Sequence, residues 1–307
     1  MLKNKKIILT GGAGFIGSNI ARSLFSDNEV VVIDNMITGR NENISDMTGH
    51  IKFIRDDINN LDMLRVEFQS ADYVLHLAAL PSVHRSFEDP IFANKNNLDG
   101  TLSVLVAAKD CGVRRVVFAS SSAIYGDSID IPLRETVTPR PLSPYAVTKL
   151  ASEHYCRVFH EVYGMETVAL RYFNVFGPGQ NPSSEYAAVI PKFINAIKTG
   201  RQPVIYGDGE QTRDFVFVAD VVRASILACQ ASNAAGKTFN IATGKATSLN
   251  RLLNAISLAA STRIIPIYSD SRSGDIRDSL ADISLARRIL GYAPEVRIED
   301  GLRALLC

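Results

Sequence analysis

The chain has 307 residues, 46% hydrophobic and 21% charged, proportions of a soluble globular protein with core enough for a large domain and a smaller lobe. Its 33 basic and 32 acidic residues leave a formal charge of +1, which gives nucleic acid no basic field to bind. No apolar run approaches the ~20 residues of a membrane span, and Cys111, Cys156, Cys229 and Cys307 form no CxxC pair, so the expectation is a cytoplasmic protein with reduced thiols.

Met1–Lys6 runs straight into a short strand, without the longer apolar region and cleavage site of a signal peptide. Strands are predicted at Lys5–Thr10, Glu29–Asp34, His50–Asp56, Tyr73–Ala79 and Arg114–Ser121, with amphipathic helices such as Gly17–Ser26 and Asn97–Cys111 between them. Strand and helix alternating in this way imply an α/β fold, a Rossmann-type doubly wound parallel sheet with helices on both faces. From about Asn174 the pattern changes. A loop signal at Gly177–Pro182 precedes shorter elements: helices over Val189–Thr199 and Leu249–Ser261, brief strands at Arg213–Val218 and Thr238–Ile241. The expected organisation is a dinucleotide-binding domain over 1–173, to which the chain returns around 213–243, and a smaller mixed α/β lobe within 174–307 that carries the substrate.

Gly11, Gly14 and Gly17 follow the first strand and open the first helix. Glycine lets the backbone turn tightly and approach a pyrophosphate, and the helix N-terminus behind it offers free N–H groups and a positive dipole end. Asp34 closes the second strand, where a carboxylate can hold ribose hydroxyls and repel a 2′-phosphate, which favours NAD over NADP. Asp57, after the third strand, is on the residues alone either a further ligand or a turn acid.

Ser143 and Pro144 are a natural N-cap and first helical residue, which places Tyr145 and Lys149 four apart on one helix face. An ammonium beside a phenol favours the phenolate, and the helix N-terminus pushes the same way, so Tyr145 is a candidate general base. Ser120, Ser121 and Ser122 end the fifth strand at the carboxyl edge, and the residues alone do not decide which of the three acts. The five histidines show no metal-ligand spacing, and no metal is expected.

These motifs, with Arg171–Gly177, Arg213–Val218 and Arg272–Asp282, resemble the extended short-chain dehydrogenase/reductase superfamily, and within it the UDP-glucose (UDP-N-acetylglucosamine) 4-epimerases. The resemblance implies Ser121, Tyr145 and Lys149 as the catalytic set. It implies an NAD site of Gly11, Gly14, Phe15, Ile16, Gly17, Asp34, Asn35, Gly39, Asp57, Ile58, Leu77, Ala78, Ala79, Asn97, Ser120, Tyr145, Lys149 and Phe173. On the sugar-nucleotide side it implies Ser82, Ser121, Ser122, Tyr145, Asn174, Gln180, Ala188, Val189, Val204, Tyr206, Arg213, Arg272, Asp275 and Ser279. Asn174, Arg213 and Arg272 would meet the diphosphate, Val189 and Val204–Tyr206 the uracil, and Asp275 the uridine ribose.

The implied reaction removes a proton from the sugar 4-hydroxyl through Tyr145 and Ser121 while hydride passes to NAD; a 4-keto sugar then turns and is reduced on its other face. Dehydratase relatives carry an Asp-Glu pair where this chain has Ser122 and Ala123, which argues against elimination of water. A UDP-glucuronate epimerase or decarboxylase is the alternative, although Gly179–Asn181 supplies no cation for a carboxylate. A non-catalytic NAD-binding regulator is a further alternative from another class. Ser279 stands where hexose-restricted relatives resemble one another in a tyrosine, and so leaves room for a 2-N-acetyl group. Helices over Leu98–Lys109 and Tyr145–Tyr163 correspond to those that pair relatives into a homodimer through a helix bundle.

Overall fold

A computed structural model describes residues 2–181, 189–271 and 276–306. The strands are β1 (Lys6–Thr10), β2 (Glu29–Ile33), β3 (Lys52–Ile54), β4 (Tyr73–His76), β5 (Arg115–Ser121), β6 (Glu166–Tyr172), β7 (Asn174–Phe176), β8 (Val204–Tyr206), β9 (Thr212–Arg213), β10 (Phe215–Phe217), β11 (Lys237–Ile241), β12 (Thr247–Ser248) and β13 (Ile267–Ser269). The helices are α1 (Phe15–Leu24), α2 (Leu61–Glu67), α3 (Val83–Glu88), α4 (Pro90–Asn94), α5 (Gly100–Asp110), α6 (Pro144–Tyr163), α7 (Val189–Lys198), α8 (Val218–Gln230), α9 (Leu249–Ala259), α10 (Ser284–Leu290) and α11 (Ile298–Leu306).

Seven strands form one parallel sheet in the order β3-β2-β1-β4-β5-β6-β11. Their side chains alternate between two cores. Ile7, Leu9, Val30 and Val32 pack with α1 and α8 on one face, and Ile8, Val31, Ile33 and Val74 with α2, α5 and α6 on the other. Burial on both faces is why these segments read as continuous apolar runs rather than alternating ones. The strand order reverses between β1 and β4, and a crevice opens there outside the carboxyl ends of the strands.

The C-terminal part is built differently. Three two-stranded ribbons, β7–β10, β9–β12 and β8–β13, lie with α7, α9 and α11 around a third core that includes Phe176, Phe193, Phe215 and Leu252. Among the described residues, no helix is long and apolar enough to cross a membrane.

Several element boundaries differ from expectation for identifiable reasons. The predicted His50–Asp56 strand shrinks to β3, an edge strand paired only with β2. The Tyr73–Ala79 strand stops at His76, and Leu77–Ala79 turn out towards the crevice. The Asn97–Cys111 helix is preceded by a π-helical turn at Lys95–Asp99. Arg213–Val218 breaks in two at Asp214, whose buried carboxylate accepts from Thr243, Gly244 and Ala281 rather than facing solvent, and Val218 begins α8.

Candidate active site

The turn from β1 into α1 is closed to side chains. Gly11 has φ +73°, and a Cβ there would lie 2.6 Å from the Ala78 amide nitrogen; one on Gly17 would lie 2.2 Å from the Gly11 carbonyl oxygen. Gly14 caps α1 with no side chain, which leaves the first amides of the helix to a ligand. At the end of β2, Asp34 accepts from the amides of Ala13 (3.0 Å) and Met36 (2.8 Å). Burial pushes its carboxyl above the ordinary range, against those two hydrogen bonds.

Across the crevice, α6 begins as its sequence dictates: the Ser143 hydroxyl accepts from Ala146 and Pro144 takes the first helical position. The Tyr145 amide donates to Ser86 Oγ of α3 at 3.1 Å, which seats the tyrosine. Burial pushes the Tyr145 phenol up, and a hydrogen bond with the Ser121 side chain opposes that shift. Lys149, 4% exposed, donates to the Ala119 carbonyl at 2.7 Å. Its ammonium lies 4.8 Å from the Phe118 ring centroid and 5.9 Å from that of Tyr145. Burial draws Lys149 down to about 8, so its charge is present below that pH and lost above it.

Beneath this group runs a closed hydrogen-bond chain. Thr101 Oγ1 donates its one proton to the Asn97 carbonyl, so it must accept from His76 Nε2–H; Nδ1 then accepts from Thr10 Oγ1, which accepts from the Ala78 amide. Burial, with Lys149 second, lowers the His76 pKa to about 3, consistent with a neutral ring. His76 ties β1, β4 and α5 together under the cleft.

The cleft has a volume of about 890 Å³. From the expected cofactor set, its wall contains Gly11, Gly14, Phe15, Ile16, Gly17, Asp34, Asn35, Gly39, Ile58, Leu77, Ala78, Ala79, Ser120, Tyr145, Lys149 and Phe173. Two others stand behind it. Asp57 receives the side chain of Asn35 (2.8 Å) and the amide of Asn59, and so braces a wall residue while Asp56 takes its place on the surface. Asn97, 2% exposed, is consumed by the Leu80 amide and Thr148 Oγ1.

From the expected sugar-nucleotide set, Ser82, Ser121, Tyr145 and Gln180 line the cleft, and the Gln180 amide oxygen is buried with no partner. Ser122, Asn174, Val189, Val204, Tyr206, Arg213 and Ser279 do not line it: they belong to the turn after β5, to α7, to the C-terminal ribbons and, for Ser279, to the irregular segment beside β9. Asn174 pairs with the Asp214 carbonyl, Arg213 Nη1 with that of Thr212, and the Ser279 amide with Thr212. Ala188, Arg272 and Asp275 lie outside the described residues. The sequence reading passed over Arg85 and Asn43, which line the cleft, and Glu153, which underlies it. The signal for Glu153 was its spacing, four residues beyond Lys149 on the same helix face.

Residues 7–242 match the model of the NAD-dependent epimerase/dehydratase family. The chain is 38% identical over 303 residues to a UDP-glucose 4-epimerase of Mycolicibacterium smegmatis, covering 97% of this chain and 96% of that protein. Among solved structures, it is similar to a UDP-N-acetylglucosamine 4-epimerase from Methanobrevibacter ruminantium M1 in complex with UDP-N-acetylmuramic acid, with TM-score 0.96, 44% identity and coverage of 99% and 98% of the two chains. It is also similar to a UDP-glucuronic acid 4-epimerase from Bacillus cereus in complex with UDP-glucuronic acid and NAD, with TM-score 0.90, 34% identity and 97% coverage of each chain. The chain belongs to the NAD-dependent epimerase/dehydratase family, and it is an enzyme of the epimerase kind.

Proposed function

We propose that this member of the family interconverts UDP-glucose and UDP-galactose, and also UDP-N-acetylglucosamine and UDP-N-acetylgalactosamine, by epimerisation at C4. The observation that carries this reading is Tyr145 and Ser121 together in the cleft wall, with the Lys149 ammonium 5.9 Å from the Tyr145 ring centroid and no acid at Ser122 or Ala123. NAD fits the residues present: a tight turn in which Gly11 and Gly17 have no room for a side chain, uncapped helix amides for a pyrophosphate, and Asp34 for the ribose hydroxyls. When bound, NAD supplies a reversible acceptor of hydride.

The chain's own residues handle the proton. Tyr145 as phenolate takes it from the sugar 4-hydroxyl and later returns it, Ser121 holds the same oxygen, and Lys149 stabilises the phenolate. On this reading Asn174, Arg213 and Arg272 hold the diphosphate about which the sugar turns, Val189, Val204 and Tyr206 flank the uracil, and Asp275 meets its ribose. A homodimer through α5 and α6 is supported by exposed Val147, Val162 and Tyr163 on α6.

A second reading, an acidic sugar nucleotide, is favoured by one observation: Arg85 brings a cation to the cleft wall, one residue before the Ser86 that seats Tyr145. Incubating the purified protein, without added NAD, with UDP-galactose, UDP-N-acetylgalactosamine and UDP-glucuronate separately, and following each by proton NMR, decides between them. Conversion of the first two is expected. Conversion of UDP-glucuronate alone would replace the first reading with the second.

A further inference from the structure

Tyr145, Lys149 and Glu153 are spaced four apart along α6 and share one face. Lys149 and Glu153 dock on successive residues of β5: Lys149 donates to the Ala119 carbonyl, and Glu153 Oε1 accepts from Ser120 Oγ at 2.5 Å. Arg171 of β6 grips Glu153 at both oxygens, Nε to Oε1 at 2.9 Å and Nη2 to Oε2 at 2.7 Å. Its remaining nitrogen donates to Tyr125 Oη, which donates to Asn240 Oδ1. Glu153 is 7% exposed, Arg171 5% and Ser120 3%. A paired, fully hydrogen-bonded ion pair at this depth fixes geometry more than it adds stability.

Two effects reach the cleft. Ser120 lines it, but its single hydroxyl proton is committed to Glu153, so it has none to donate to a ligand. Lys149 is buried, which disfavours its ammonium, and the surrounding groups offset this unequally. From its own helix it meets Tyr145, Glu153 and Cys156; from β5, the Phe118 ring; from β4, His76, held neutral. Burial holds the Cys156 thiol far above neutrality, so it contributes no charge. Glu153, four residues along the same helix face, remains as the anion, and the Arg171 guanidinium of β6 lies on its far side, bound to both its oxygens.

We propose that Glu153, locked by Arg171, is a positioning residue: it withdraws the Ser120 hydroxyl so that Ser121 alone addresses Tyr145, and it supplies the buried negative charge that keeps Lys149 an ammonium. The proposal rests on Tyr145 as the base of the epimerisation. It acts through Lys149 and not by touching the sugar.

The test follows Lys149 itself. Lysine labelled with carbon-13 at Cε is incorporated into the NAD-bound protein, the Lys149 signal is assigned by its loss in Lys149→Met, and its titration is read by NMR. In Glu153→Gln the Lys149 midpoint falls by about one pH unit. In Ser120→Ala it stays in place. The kcat of Glu153→Gln drops with KM for the nucleotide sugar unchanged, and the loss deepens as pH rises through neutrality to about 8, where the parent Lys149 is itself half deprotonated. Glu153→Gln leaves Arg171 buried without its anion; Glu153→Gln/Arg171→Met, which buries no unpaired charge, serves should the single variant not fold, and there the Lys149 midpoint falls in the same direction but by less, because a cation leaves with the anion.

A Lys149 titration unmoved in the folded variants, whatever their melting temperatures, overturns the proposal and leaves the pair a structural brace; so does failure of both to fold. If the parent epimerises no UDP-sugar, the functional reading fails on its own, while the Lys149 titration still reports on Glu153.

Discussion

The two ends of the proposed reaction site are built on different kinds of backbone. At the cofactor end, glycine turn, Asp34, Ser121 and Leu77–Ala79 all sit at the carboxyl ends of strands buried on both faces, and the sheet holds them in one wall. At the nucleotide-sugar end, Asn174, Val204, Tyr206, Arg213 and Ser279 lie on or beside two-stranded ribbons, each held by few backbone bonds. A strand locked on both sides fixes its end within a hydrogen-bond register. A ribbon fixes its residues only as well as the side chains packed behind it. On the proposed reading, the chemistry that must be aligned within tenths of an ångström is on the sheet, and substrate choice is on the ribbons, where substitutions would disturb less.

Breaking the sheet-borne end should cost most. Tyr145→Phe removes the phenolic oxygen but keeps the ring and the amide bond to Ser86, so the fold and NAD content should stay while kcat falls about 10²–10⁴-fold. Turnover by NMR, with circular dichroism as the control for folding, checks this, and normal kcat would remove Tyr145 from the mechanism. A smaller and graded effect is expected in the glycine turn. A Cβ on Gly17 meets backbone, the Gly11 carbonyl at 2.2 Å and Gly12 Cα at 2.8 Å, whereas one on Gly14 meets only the Gly11 oxygen at 3.2 Å. Gly17→Ala should then lose most copurifying NAD and about 1–3 kcal/mol of stability, with Gly14→Ala affected far less. Equal NAD content in the two variants would mean that the turn does not set cofactor binding.

The same contrast explains what could be read from the amino acids. Asp34, the glycines and Tyr145–Lys149 were legible because local rules, a strand end, a turn, four residues of helix, define them. Ser121 could be separated from Ser120 only by resemblance, since what distinguishes them is Glu153, 33 residues away, taking the Ser120 proton. Asp57 and Asn97 were placed on the cofactor by likeness of motif, yet both spend their hydrogen bonds on the protein. β6 carried no prediction although it is buried along its length, because Glu166–Tyr172 follows α6 after a single turn and its apolar residues blend with the motif after it. Pairings such as β9 with β12, or Ser279 with Thr212, depend on partners tens of residues away and leave no local pattern.

The ribbon-borne end can be tested where the expected effect is smallest. The Ser279 amide is bonded to the Thr212 carbonyl at 3.1 Å, next to Asp278, which accepts from Thr212 Oγ1 at 2.6 Å. Its backbone is thus tied to β9, the strand that carries Arg213, while its side chain is small and 8% exposed. If that side chain leaves room for a 2-N-acetyl group, Ser279→Tyr fills it. Discrimination by bulk alone is worth about 1–3 kcal/mol, so kcat/KM for UDP-N-acetylglucosamine should fall about tenfold or more relative to UDP-galactose. A buried tyrosine also costs stability, so the ratio of the two substrates, measured on one preparation, is the quantity to read. Strain from overpacking would lower both activities together and leave their ratio alone. Only a steric gate lowers one against the other, and an unchanged ratio would move the choice of sugar away from Ser279 to the cleft wall, where Ser82, Arg85 and Gln180 face the same space.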